Sequence, residues 1–300
     1  MNDDPLPLPE IDGYRLERCG ARAVYVRPEH HDAVAALGFL DGEPRSEPVD
    51  RRGGRVVYPI YPLTPDARVI WKHCRRGGWA EPILDDRHFD VTRFVRELEL
   101  NDAVRRAGLP VAEIIALAVA RGRTAWRVEM LTRVIDGARD LADALRSTSP
   151  DDELRVELAE AVATLLRRFH GAGFRHGDLN VKNVLWRRTN SGTIEVTLID
   201  LDPGRRDRGS ETPRHENLLR LWRSVVKGEW AGRWVLSDRT LLRFLHTYFR
   251  GDRAAMEEFR RRAGRARRLA PLRYGWRRGG RRDAAPTDRA PRAEKDRGGS

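Results

Sequence analysis

Cysteine is scarce in this chain: Cys19 and Cys74 are the only two in 300 residues, and they stand far apart. That excludes a disulfide framework and any zinc centre built on paired thiolates; both read as inert thiols in a reducing cytoplasm. Long apolar runs are missing too. The longest candidate, Val111 to Ala120, falls short of the ~18 to 20 residues a membrane span needs and contains Glu113. The N-terminus opens with Asp3, Asp4 and three prolines within nine residues, so no apolar leader is expected. Acidic residues are scarce at one end only. Residues 260–300 hold fifteen Lys and Arg against four Asp and Glu, which is +11 of the total +12 and leaves about +1 for the preceding 259 residues. This tail is rich in Arg, Gly, Ala and Pro and poor in apolar residues after Trp276, so burial does not offset its ordering entropy and 279–300 is expected to be disordered. Two readings of it stand side by side: a solvated tail, or adhesion to an anionic membrane surface at on the order of 1 kcal/mol per basic residue.

What is present begins with a hydrophobic fraction of 40%, ordinary for a folded chain and enough for one bilobal domain or two smaller ones. The informative stretch is His176 to Asn183, HGDLNVKN, with Leu198 to Asp202, LIDLD, behind it. Asp178 and Asn183 follow the D-x-x-x-x-N spacing of a kinase catalytic loop, in which one residue handles the acceptor hydroxyl and the other binds magnesium. The apolar, β-branched run Ile194 to Ile199 delivers Asp200 as a strand ends, where a second magnesium ligand belongs. ATP brings about four negative charges, so oxygen ligands from two segments must converge on the metal. They do so if Val184 to Trp186 and Ile194 to Ile199 pair as a hairpin around Thr189 to Gly192. A solvated turn followed by an ordinary strand is the bland alternative.

Upstream, Gly53-Gly54 precedes a strand at Arg55 to Tyr61, and a second strand runs from Ala67 to Cys74. Two glycines there form either a phosphate-covering loop or a simple hairpin entry. Lys72 lies late in the second strand, so it either snorkels at an edge or meets an anion. The candidate anion is Glu97, on a helix spanning Asp90 to Ala107 whose apolar stripe is Val91, Phe94, Val95 and Leu98; Glu99 is the fallback, and a solvated charged face with Arg93 and Arg96 is the third possibility. Strands at Val111 to Ala120 and Thr124 to Val134 complete the small sheet, and Glu129 to Gly137 is the expected hinge. Ser149-Pro150-Asp151-Asp152 reads as a helix start with Ser149 as cap, leading a long helix through Leu154, Leu158, Val162, Leu165 and Phe169 to Gly171. Further helices are expected at Glu216 to Lys227, Ser237 to Phe249 and Arg253 to Arg262. Residues 1–52 give only weak strand and turn signals, such as Ala23 to Val26, and then a loop from Gly38 to Arg52.

The segments WKHCRRGGW at 71–79, RELELNDAVRRAGLPV at 96–111, HGDLNVKNVLW at 176–186, LIDLDPGRR at 198–206 and ENLLRLWRSVVK at 216–227 are similar, in matching order over roughly Gly53 to Phe249, to the 3-deoxy-D-manno-octulosonic acid (Kdo) kinases of lipopolysaccharide assembly. That family is protein-kinase-like, so the resemblance implies an α+β bilobal fold with a mainly antiparallel small lobe carrying one helix and a larger helical lobe. The divisions expected are an extension and start of the small lobe at 1–52, small lobe at 53–135, large lobe at 136–262 and basic tail at 263–300. The resemblance further implies transfer of the ATP γ-phosphoryl to a Kdo hydroxyl on a lipid A precursor, at the cytoplasmic face of the inner membrane. Asp178 would act on the acceptor hydroxyl, Asn183 and Asp200 would hold Mg2+, Lys72 would bind phosphates and Glu97 would hold Lys72. Gly53, Gly54 and Asn180 would lie along the nucleotide; Asn180 stands where protein kinases commonly carry a lysine, so the substrate is not expected to be a protein. Arg75 and Arg76 either form a solvated turn or bind a carboxylate or phosphate of the acceptor bidentately. Cys74 stands where the family often has an aromatic residue, and the glycine loop is poorly formed. Three alternatives stay open: a related kinase of heptose or aminoglycoside-like acceptors, a non-catalytic kinase-like scaffold, and a nucleic-acid binder using the basic tail, the last least in keeping with the kinase motifs.

Overall fold

The computed structural model describes residues 8–53, 57–74, 91–122, 125–201, 204–206 and 212–270. Its small lobe is a seven-stranded antiparallel sheet built from β1 (Arg15–Cys19), β2 (Arg22–Val26), β3 (Asp50–Gly53), β4 (Val57–Thr64), β5 (Ala67–His73), β6 (Ile114–Arg121) and β7 (Trp126–Arg133) in the order β1-β2-β6-β7-β5-β4-β3. Alternation along β5 sends Val69 and Trp71 to one face, where they meet Val34 and Leu37 of helix α1 (His31–Leu37) and Phe39 beyond it. Phe94, Val95 and Leu98 of helix α2 (Thr92–Arg106) cover the opposite face, against Leu117, Val119, Val128 and Met130. The sheet is therefore buried on both sides, which is why β6 reads as a continuous apolar run rather than an alternating one.

Several sequence expectations shift in detail. The loop expected at Gly38 to Arg52 already contains the start of β3, and α1 carried too short a pattern to be foreseen. The strand expected from Val111 starts at Ile114, because residues 110–112 bond to the large lobe instead: Leu198 N–H donates to Pro110 O at 3.1 Å and Ala112 N–H donates to Leu198 O at 2.9 Å. Of the expected hinge, Glu129 to Arg133 remain in β7, and the chain turns only at 134–138, with Gly137 at φ 70°.

The large lobe starts with a two-residue strand β8 (Arg139–Asp140) and helix α3 (Leu141–Ser147), followed by α4 (Glu153–Gly171). The long helix begins three residues later than Ser149-Pro150 suggested, since the Asp152 carboxylate, not Ser149, accepts from the Leu154 N–H at 2.9 Å. A charged cap at the positive end of the helix outcompetes a hydroxyl. Strands β9 (Phe174–Arg175), β10 (Val184–Arg188), β11 (Ile194–Leu198) and β12 (Arg205–Arg206) frame the loop that follows, with β10 and β11 forming the expected hairpin and β9 pairing with β12. Helices α5 (Thr212–Trp230), α6 (Asp238–Phe249) and α7 (Arg253–Arg268) close the lobe, α7 running past the expected end at Arg262. Their core centres on Phe169, Phe174, Leu166, Leu218 and Leu245, and leaves an apolar cavity of about 80 Å³ between Leu145, Leu158, Leu221, Trp222 and Phe244.

Candidate active site

The loop between β9 and β10 is held from three directions. Asn217, near the start of α5, accepts the His176 N–H with its Oδ1 at 3.2 Å and donates from Nδ2 to the His176 carbonyl at 2.6 Å. The same Oδ1 receives His170 Nε2–H at 2.9 Å, and the Tyr248 hydroxyl completes the chain by donating to His170 Nδ1 at 2.8 Å. Farther along α5, the Ser224 hydroxyl accepts the Val181 N–H at 3.1 Å. The third tie is His176 itself. Its Nδ1 accepts the Asp178 N–H at 3.2 Å, which leaves the proton on Nε2 to donate to the Ile199 carbonyl at 2.9 Å. One imidazole thus links the backbone of Asp178 to the residue preceding Asp200. Both rings are kept neutral: burial lowers His176 below the usual imidazole value and brings His170 down to about 4.

Asp178 projects from this loop with its side chain 60% exposed. Oδ2 accepts from Asn180 Nδ2 at 3.1 Å, and the Arg220 guanidinium of α5 stands 3.9 Å from Oδ1. Asn180 is engaged in the loop itself: its Nδ2 also reaches the Asp178 carbonyl, and its Oδ1 accepts the Lys182 N–H at 2.8 Å. Asn183 is buried, and its Nδ2 donates to the Asp178 carbonyl at 2.9 Å, which fixes the orientation of the amide. Its own carbonyl takes the Ile199 N–H at 3.1 Å, so the two segments that carry the expected magnesium ligands are bonded to each other. Asp200 emerges exposed at φ 60°, a left-handed conformation rare outside glycine but tolerated by Asp. An amide oxygen and a carboxylate offered from adjacent segments are hard donors that suit Mg2+.

On the small-lobe side, Lys72 is paired in register with Met130 and therefore shares its face, the one that α2 covers. Glu97 lies on α2 between Phe94 and Leu98 and is buried at 8% exposure, whereas Glu99 is exposed beside Tyr25. The solvated-face reading of Glu97 is thereby set aside. Lys72 Nζ also approaches the Tyr58 ring, at 5.9 Å. Cys74 shows how these groups converge: burial pushes its thiol up to about 12, and the charges of Glu97, Lys72, Arg93 and Asp200 all act on it. Asp200 in turn acts on His176 together with Asp178 and Arg220. Electrostatic influence thus runs from Lys72 and Glu97 through Cys74 to Asp200, and from Asp200 through His176 to Asp178. Gly53 ends β3, its backbone paired with Val57, while Gly54, Arg75, Arg76 and the basic segment 271–300 lie outside the described residues.

A second carboxylate–imidazole group, Glu29, His30 and Glu113, has metal-like spacing. Glu113 is already matched by Arg27 at 3.2 Å, Arg133 at 2.7 Å and Arg105, so this cluster is structural. Asn217, Ser224, His170 and His176 were not assigned roles from sequence. Asn217 and Ser224 do fall in the ENLLRLWRS run that marked the resemblance, and that run is now explained by what it binds.

The family model for the lipopolysaccharide kinase (Kdo/WaaP) family matches residues 40–248. Among curated proteins, the 3-deoxy-D-manno-octulosonic acid kinase of Stenotrophomonas maltophilia (strain K279a) is 34% identical over 167 residues, covering 54% of this chain and 64% of that protein. The enzyme of the same name from Mannheimia succiniciproducens is 34% identical over 161 residues, covering 52% and 65%. That from Xanthomonas oryzae pv. oryzae (strain PXO99A) is 30% identical over 187 residues, covering 61% and 71%. The matches thus span about two thirds of these relatives' length. Among solved structures, one described as WaaP in complex with acyl carrier protein superposes with a TM-score of 0.51 at 21% identity, covering 81% of this chain and 98% of that one, a likeness of fold.

Proposed function

Because the chain belongs to the lipopolysaccharide kinase (Kdo/WaaP) family, we propose that it is an ATP-dependent sugar kinase of lipopolysaccharide core assembly, acting on a Kdo hydroxyl of a lipid A precursor. The observation that carries this reading is the loop from His176 to Asn183, in which Asp178 is solvent-facing while Asn183 and the Ile199-Asp200 segment are bonded to one another behind it. Asp178 orients the acceptor hydroxyl and takes its proton as that oxygen bonds to the γ-phosphorus and the bond from the γ-phosphorus to the β–γ bridging oxygen breaks, releasing ADP. Magnesium, held by Asn183 and Asp200, would neutralise charge on the transferring phosphates. Lys72 attracts phosphate oxygens, and Glu97 keeps its ammonium aimed into the cleft. Asn180 serves by steering the Asp178 carboxylate.

The basic C-terminal region supports peripheral binding to an anionic membrane at the cytoplasmic face. Arg261, Arg265 and Arg268 recur at helical spacing on exposed positions of α7 and lead into the Arg-rich end of the chain. No helix among the described residues is long and apolar enough to cross a membrane.

The decisive assay is magnesium-dependent phosphate transfer from ATP to a Kdo-bearing lipid A precursor, with a heptose acceptor alongside. Phosphorylated Kdo is expected, and Asp178→Ala should reduce its formation by about 10²- to 10⁴-fold. Turnover confined to heptose would overturn the acceptor; absence of ATP binding would overturn the kinase.

A further inference from the structure

Arg220 falls in the ENLLRLWRS run without a role assigned to it from sequence, and its position is unusual for a surface arginine. It lies on α5 between Asn217 and Ser224, the two residues that fasten that helix to the catalytic loop. Positions three before and four after it share its helix face, so the backbone of Arg220 is held rigidly beside Asp178. Its helical neighbour Glu216, a ready partner at i−4, is turned instead toward Arg262 of α7, at 3.5 Å. The guanidinium is left 55% exposed and 3.9 Å from Asp178 Oδ1, beyond the ~2.7 to 2.9 Å of a committed charge-assisted bond. Its donor fork is therefore not closed on the base. Its neighbours are those of the catalytic loop: it acts on the buried His176 ring together with Asp178 and Asp200.

We propose that Arg220 is the acceptor-recognition residue of this site, pairing with an anionic group next to the hydroxyl that Asp178 activates; for an acid sugar that group is the carboxylate. This rests on the Kdo reading above and specifies which part of the acceptor is read. The chemistry suits guanidinium: a planar carboxylate accepts two parallel N–H bonds, which orient the sugar as well as hold it. It also explains why a cation beside the general base is left half-free, since the acceptor brings the countercharge.

The test uses the full chain with three variants, Arg220→Ala, Arg220→Gln and Arg220→Lys, and two acceptors: the Kdo-bearing precursor and its carboxylate methyl ester. With the free acid, Arg220→Ala and Arg220→Gln should raise the acceptor KM by about 10- to 100-fold, leave the KM for ATP within about twofold, and melt with wild type. Arg220→Lys should recover part of the loss, since it restores charge without the fork. With the ester, wild type should already show the raised KM and the variants should add little. An equal penalty on acid and ester, or a matching rise in the KM for ATP, would overturn the assignment and make Arg220 a support for the base or the γ-phosphate. Failure of wild type to phosphorylate either Kdo acceptor while still turning over ATP on another sugar would instead remove the Kdo reading, and this assignment with it.

Discussion

Asp200 carries the tightest conformational constraint in the site. A non-glycine residue at φ 60° costs on the order of 1 kcal/mol or more, and the fold imposes it two residues past the end of β11. Stability and function should therefore separate at this position. Asp200→Gly is expected to melt within a few degrees of wild type, because relief of the left-handed strain offsets glycine's greater unfolded-state entropy. Asp200→Val, β-branched and ill-suited to this region, should melt clearly lower. Both should lose magnesium-dependent ATP binding, measurable by calorimetry with and without the metal; retention in Asp200→Gly would remove Asp200 from the ligand set. Asp178, Asn183 and Asp200 were legible in the sequence because their relation is local: five positions along a loop, then one hairpin. Asn217 and Ser224 were not, since their partners in the loop lie 41 and 43 residues away and an amide or hydroxyl in a helix has no spacing signature of its own.

At the scale of the element, α5 is the clamp of the catalytic loop, and the clamp is sensitive to acid. His170 sits fully buried between Asn217 and Tyr248 with its value lowered to about 4, mainly by burial, against about 6.5 when unfolded. The unfolded chain takes up a proton first as pH falls, so the neutral ring contributes stability that is complete above about pH 6.5 and is lost progressively toward pH 4. His176, also lowered, acts with the same sign. Over that window His170 alone accounts for a loss of on the order of 3 kcal/mol. Urea midpoints measured from pH 7.5 to 4.5 should fall for wild type and fall less steeply for His170→Gln; identical slopes would show that the ring titrates normally in the folded protein. The same helix is packed too closely to accept change at Gly228, where an added Cβ would land on the indole of Trp234. Gly228→Ala should cost about 1 to 3 kcal/mol by overpacking, despite alanine's better helix propensity. The existence of α4, α5, α6 and α7 was readable from their periodicity, whereas their limits were decided by caps and by packing: Asp152 displaced Ser149, and α7 continues because Ala263 and the partly buried Ala266 extend its buried face.

For the molecule as a whole, the segment 110–113 is where the lobes are joined away from the hinge. Its backbone pairs with Leu198, two residues before Asp200, while Glu113 anchors it in the small lobe among Arg27, Arg105 and Arg133. Burial would raise the Glu113 carboxyl, but the hydrogen bonds from Arg105 and Arg133 lower it below the usual range, so it stays charged and balances the arginines. Removing that charge takes one of two carboxylates from buried Arg27, which keeps Asp102, and the carboxylate partner from the part-exposed Arg105 and Arg133, a loss on the order of 1 to 3 kcal/mol. The damage should travel beyond stability, because the same few residues set where β11 releases Asp200 relative to Lys72 on β5. Glu113→Gln is therefore expected to lower the melting temperature by several degrees and to weaken magnesium-dependent ATP binding, although Glu113 is no part of the proposed nucleotide contacts. Glu99→Gln, the same chemical change at an exposed position of α2, should alter neither. Thermal melts and ATP titrations of the two variants in parallel distinguish coupling from general destabilisation. If Glu113→Gln melts lower but binds ATP as wild type does below its transition, the lobes are held in register by the hinge at 134–138 and not by this contact.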